Sequence, residues 1–240
     1  MTDSIREQLI SAFETRLAVI LKANQYNSDM GKTVLRSHLP AIDGSLCPAI
    51  GFHLDDEENL SLYHRMEQKE LPVRVQGVAK FQSVTPAEMA ELIYADINEC
   101  ILCDQWAVGF DSGGTDEITA GDTIVGETSA AQALVISVSL DSGTWAGGDA
   151  AGTFTARRMV GMFQDNEEMS VGAATGQATV DGAPSGTGPV DLVTGGLAEA
   201  ITFSVGNTQM NQQDNTVIGA QIVFRIKYRQ VAGNPYSQTI

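Results

Sequence analysis

The sequence predicts an α+β fold: two helices packed on a mostly antiparallel sheet, with an inserted small all-β domain. Three observations carry this reading. Apolar residues recur at helical spacing in two early segments, 4–22 and 85–102. Strict alternation marks strands over 71–81 and 217–231. Between them, residues 111–188 are rich in Gly, Thr, Ser, Ala and Asp, with short alternating runs and no helical period. The 240 residues therefore divide into a discontinuous scaffold, 1–110 and 189–240, and an insert, 111–188. Exposed loop tips tolerate such insertions.

The first helix starts at Ser4, where Ser4-Ile5-Arg6-Glu7 matches a capping box, and is expected to run to about Lys22. Ile5, Leu9, Phe13, Leu17, Ile20 and Leu21 form its apolar stripe. Thr33–Arg36 and Ala49–Leu54 read as short strands, the second closed by the acidic run Asp55-Asp56-Glu57-Glu58. Leu71–Phe81 is the strongest strand, with Val73, Val75, Gly77 and Ala79 on one face. Thr85-Pro86-Ala87-Glu88 opens the second helix, with Pro at the first helical position. At the far end, Leu197–Val205, a polar turn over 210–215 and Val217–Val231 read as a hairpin. Ile222, Phe224, Ile226 and Tyr228 share one face of its second strand; Arg225, Lys227 and Arg229 share the other.

Within the insert, Ile118–Gly126, Ala133–Leu140, Thr153–Ala156 and Glu168–Val171 read as strands, and Asp141–Asp149 as a turn around Trp145. Ile118, Ile124 and Val135 recur 45 positions later as Phe163, Met169 and Val180, an echo that duplication or chance in a low-complexity block would both produce.

Net charge is −16, and the stretch 111–184 alone holds 11 acidic and 2 basic residues. Such a surface repels phosphate, which disfavours gripping of nucleic acid and suits either solubility or a wall that DNA passes without sticking. No apolar run is long enough to span a bilayer, and neither a basic nor an apolar leader is legible, so no membrane or secretory role is expected. Three cysteines, Cys47, Cys100 and Cys103, fit a reducing compartment rather than a disulfide framework.

Catalytic, cofactor and metal chemistry is not legible. Cys100 and Cys103 have CxxC spacing but no second pair and no nearby His, so they read as structural thiols. His38, His53 and His64 are scattered, and Gly113-Gly114 does not join a strand to a helix as a dinucleotide cradle requires. Two weak candidates remain. Asp55, Asp56, Glu57 and Glu58 follow a strand, where loops carry contacts, and are a candidate channel-facing or subunit-facing loop; a solvated loop is the plainer reading. Trp145 is either an anchoring contact of the insert or a core residue of it.

The flanks resemble the tail terminator, or tail completion, proteins of tailed bacteriophages. The residues that carry this are Ile5–Phe13 with Leu17–Ile20 and Asn27–Asp29, Pro48–Ile50 with Asp55–Glu58, Leu71–Val75, and Ala95–Ile97. They continue in Gly195–Glu199, Val217–Ala220, Phe224–Arg229 and Gly233–Tyr236. No single motif is specific; their order is. The resemblance implies a structural virion protein without enzymatic activity or cofactor. It would be assembled in the host cytoplasm into a ring, commonly a hexamer, in the tail and neck region. Its partners would be itself, the tail tube protein and the head-side connector or stopper, with DNA passing through ungripped. The insert departs from the family's pattern, in which the second helix leads directly into the Gly-Gly-Leu-Ala-Glu strand. It resembles add-on β modules of phage structural proteins. An alternative is a display scaffold whose insert binds a host glycan or a capsid or tail neighbour.

Overall fold

The computed structural model describes residues 3–36, 42–80, 85–210 and 217–238. The sequence readings at His38, at Phe81 and over 211–215 lie outside them. In chain order the elements are α1 (Ile5–Leu17), β1 (Val34–Arg36), β2 (Ala49–Leu54), β3 (Glu58–Tyr63), β4 (Met66–Lys80), α2 (Pro86–Leu102) and β5 (Gln105–Gly113). There follow β6 (Thr123–Gly126), β7 (Gln132–Ser142), β8 (Ala150–Val160), β9 (Glu168–Val171), β10 (Ala174–Val180), β11 (Ser185–Thr187), α3 (Pro189–Thr194), β12 (Ala198–Met210) and β13 (Val217–Val231). Two compact units result: Met1–Leu102 with Pro189–Ile240, and Cys103–Gly188.

This corrects the expected fold class. The chain is mostly β, 48% strand and 22% helix, with 13 strands and three α-helices among the described residues in place of two helices on a sheet. Nor is the second sheet small: it has seven strands, against six in the first. The helical stripes dominated the sequence pattern because their residues are large, whereas many strands here bury Ala, Gly or a single Val and leave a faint signature. The boundary moves as well. Residues 105–110, read as scaffold, form β5 in the second unit.

In the first unit, the Ser4 side chain accepts from the Glu7 N–H at 3.2 Å and starts α1. The helix stops at Leu17, short of the expected Lys22. Gly31 passes so close that a Cβ there would stand 2.5 Å from the Ala18 carbonyl oxygen, and its N–H bonds Ile20 O at 2.9 Å. The sheet order is β1-β2-β4-β13-β12, with β3 also paired to β4. Only β1–β2 is parallel. One face is apolar: Val73 and Val75 on β4, and Ile222, Phe224 and Ile226 on β13, are buried beneath the helices. Phe13 of α1 sits 5.8 Å from Phe52 and 6.5 Å from Phe224, centroid to centroid. Gly77 lets the layers meet, since a Cβ there would stand 2.8 Å from Ile93 of α2. The buried Arg16 donates through Nε to the Cys100 carbonyl at 2.8 Å, satisfying a carbonyl in the last turn of α2. Among the described residues the opposite face carries no helix of this unit, and β13 presents Arg225 and Arg229 there, exposed.

The second unit closes on itself. The order β10-β9-β6-β7-β8-β5 is completed by a β10–β5 pairing, so six antiparallel strands form a barrel, with β11 added outside β5. Thr187 pairs with Gln105, which sets the strand that leaves the unit beside the one that enters it. Phe110 stacks on Phe154 at 4.1 Å and on Trp145 at 5.3 Å, making the largest block of its core.

The 45-residue echo has a structural counterpart. Ile118, Ile124, Val135, Phe163, Met169 and Val180 are all buried. Gly121 N–H bonds Val135 O and Val135 N–H bonds Asp122 O; Asn166 N–H bonds Val180 O and Val180 N–H bonds Glu167 O, each at 2.9 Å. Gly121 and Asn166 both have positive φ, 100° and 62°. Strands β5-β6-β7 thus repeat as β8-β9-β10, and β6 meets β9 where the copies join.

Candidate functional site

The acidic run does not form one surface. Between β2 and β3 its side chains reach different neighbours. Asp55 turns toward the open face, where Oδ2 lies 3.1 Å from Arg74 Nη2 and Oδ1 lies 3.9 Å from His53 Nε2. Glu57 turns the other way, 3.5 Å from Lys69 Nζ, and accepts from the hydroxyl of Tyr228. Burial, with the Glu57 carboxylate beside it, pushes that phenol well above its usual range, so it stays a donor. Asp56 is exposed, and Glu58 is the exposed first residue of β3, opposite Glu70.

Trp145 is a core residue, 6% exposed and stacked on Phe110. Its indole N–H is buried without a hydrogen-bond partner among the described residues. The structure thus gives it the packing role of the two considered. Cys100 is buried and donates to Arg16 O at 3.2 Å, and Cys47, Cys100 and Cys103 are thiols rather than disulfide halves. Among the described residues no group of three or more His, Cys, Asp or Glu is placed to hold a metal ion, and no helix is long and apolar enough to cross a membrane.

Two features that the sequence reading missed stand out instead. The first is a pair of strands, β3 and β12, that have only one strand neighbour each among the described residues. β12 ends the first sheet with 13 residues, and β3 flanks β4 on the side away from β13. Both show apolar side chains: Phe203 and Val205 on β12 are 44% and 58% exposed, and Leu62 and Tyr63 on β3 are 69% and 72% exposed.

The second is an ion-pair lattice on the open face. Glu70, only 6% exposed, lies 2.5 Å from Arg225 Nη1 and 3.8 Å from Lys227 Nζ. Glu199 lies 2.5 Å from Arg229 Nε and accepts from Gln68 Nε2 at 2.7 Å. Arg225 also donates to Ser204 Oγ at 3.2 Å. The alternation of the three cations was legible in the sequence. Their carboxylates were not, because register across two strands brings them in from far along the chain. β3 left no period to read, since all six of its residues are exposed.

No protein-family model matches the chain, and no curated protein matches it significantly.

Proposed function

We propose that this chain is a non-enzymatic structural subunit of a tailed-phage virion, closing with copies of itself into a ring at the tail end of the neck. The tail tube protein would meet one side of the ring, the head-side connector the other, and DNA would pass through. The observation that carries the reading is the pair β3 and β12, each with one strand neighbour among the described residues. Each step along β3-β4-β13-β12 is antiparallel, so β3 and β12 run in opposite directions. A neighbour rotated about an axis along the strands can therefore lay its β3 antiparallel to this chain's β12. That contact is heterologous and closes when the rotation closes. Long edges with exposed apolar side chains are otherwise an aggregation hazard. The resemblance of the flanks adds the expected stoichiometry, six.

Electron micrographs of particles carrying the protein, together with hydrogen exchange over 198–210 before and after assembly, test this. The expected result is a ring whose β12 amides exchange more slowly than in the free chain. An assembled arrangement that is not a ring, or β12 amides that stay unprotected in it, would overturn the reading.

A further inference from the structure

We infer that Glu70 and Glu199 keep the open face of the first sheet from holding DNA: they occupy the cations Arg225, Lys227 and Arg229, so that a phosphate backbone passes along the face without being bound. The inference rests on the ring reading for the presence of DNA, and on the geometry of this face for the rest. Closing the sheet through β3 and β12 bends it into a cylinder. Helices are about 10–12 Å thick and lie on one face only, and the outer side of a cylinder offers the greater circumference. The helical layer therefore goes outside and the open face lines the bore.

That wall carries Arg74, Arg225, Lys227 and Arg229 in a chain whose net charge is −16. Overall acidity repels DNA at a distance, but it is screened beyond about 10 Å at moderate salt. At contact the local cations decide, and bare Lys and Arg bind phosphate by releasing counterions. Here each of the four has a carboxylate within 4 Å: Asp55 on Arg74, Glu70 on Arg225 and Lys227, Glu199 on Arg229. Glu70 is the strongest of these masks, because a charge buried to 6% exposure is screened least by salt.

The test uses the unassembled full chain and a short fluorescein-labelled DNA duplex, read by fluorescence anisotropy across a salt series. The parent protein should show no binding. The double variant Glu70→Gln, Glu199→Gln should bind at low salt, with a slope of log K against log salt of about −2.7 when all three freed cations meet phosphate. Adding Arg225→Gln and Lys227→Gln should remove that binding. A control, Asp116→Asn with Glu117→Gln on an exposed loop of the second unit, changes net charge equally and should gain nothing. Where circular dichroism shows the double variant unfolded, Glu199→Gln alone should give a smaller gain with the same sign. A folded variant without gain, an equal gain in the control, or parent binding as tight as the variant's would each overturn the masking. Because the chain is unassembled, rings without a gain sink the masking alone, and a gain without rings sinks the bore alone.

Discussion

The two units of this chain are both antiparallel sheets, and they end in opposite ways. The barrel joins its last strand to its first, so its backbone groups find partners within the unit. The scaffold sheet does not close: among the described residues its path ends at β1 and β12, and β3 flanks β4 without a second strand neighbour. Each unit also buries a carboxylate held by uncharged hydrogen-bond donors, and these two differ as well. Glu167 in the barrel accepts from the N–H groups of Gln164, Thr128 and Ser129 and from the Ser129 hydroxyl. Asp96 in the scaffold is fully buried and accepts from Asn27 N–H, Asn27 Nδ2 and Ser28 Oγ. Burial raises both; at Glu167 the donors jointly outweigh it and the carboxyl lies below its usual range, whereas at Asp96 burial wins and the carboxyl lies above.

The largest effect should come from the closed unit's core. Phe110→Ala removes the ring between Phe154 and Trp145 and should cost about 3–5 kcal/mol, read by denaturant melting. Phe203→Ala, on the open edge, should stay within about 0.5 kcal/mol of the parent and instead weaken ring assembly. Equal stability losses at the two positions would erase the contrast between closed and open sheets.

Next in size is Glu167→Gln, which turns an amide N–H₂ toward N–H donors and should destabilise the barrel by about 1–3 kcal/mol. The pH sign follows from the lowered carboxyl. Its contribution is present above the ordinary glutamate range and disappears as pH falls through that range to the folded value. The Gln variant should therefore lose part of the barrel's acid sensitivity in pH-dependent melting.

Asp96→Asn should do the reverse at smaller scale. A raised carboxyl favours the fold when protonated, so its contribution is full below the ordinary aspartate range and is lost as pH rises through the folded value. At neutral pH the Asn variant should be as stable as the parent or slightly more so. A large loss at neutral pH would mean that the charge itself is needed there.

The smallest change is expected from removing the barrel altogether. Joining Leu102 to Pro189 through a short Gly-Ser linker should leave the scaffold's melting transition in place, because the unit boundaries fall there. Joining Phe110 to Val190 instead would leave Trp106, Val108 and Phe110 without the barrel and should promote aggregation. An unfolded Leu102–Pro189 chain would show that the units are not separable.

Legibility followed contact range. The Ser4 cap, the Pro86 helix start, the alternation of β4 and the two-faced β13 were readable because neighbours within a few positions determine them. The strand β10, Ala-Thr-Gly-Gln-Ala-Thr-Val in β-poor letters, exists because β9 and β5 flank it. Barrel closure has no local signature at all. The helix α3 was not read from the sequence: at six residues it is too short to show a helical period, although Pro189 at its first position is a regular helix start. At the candidate site the cationic alternation was readable but its partners were not, and Asp55–Glu58 read as one patch where the structure turns Asp55 and Glu57 to different neighbours.

The pairing of Gln105 with Thr187 gives the barrel a property of its own kind. Its two attachment points are hydrogen-bonded neighbours, so to the host chain the whole unit is equivalent to a tight turn. Loop-closure entropy grows with the length of flexible chain between two fixed ends, and here that length is set by the short stubs outside the bonded pair rather than by the residues within. A unit built this way is portable: it can be grafted into any surface turn whose ends stand a strand's width apart, about 5 Å, and it can be exchanged for another with the same doorway without the host having to adjust.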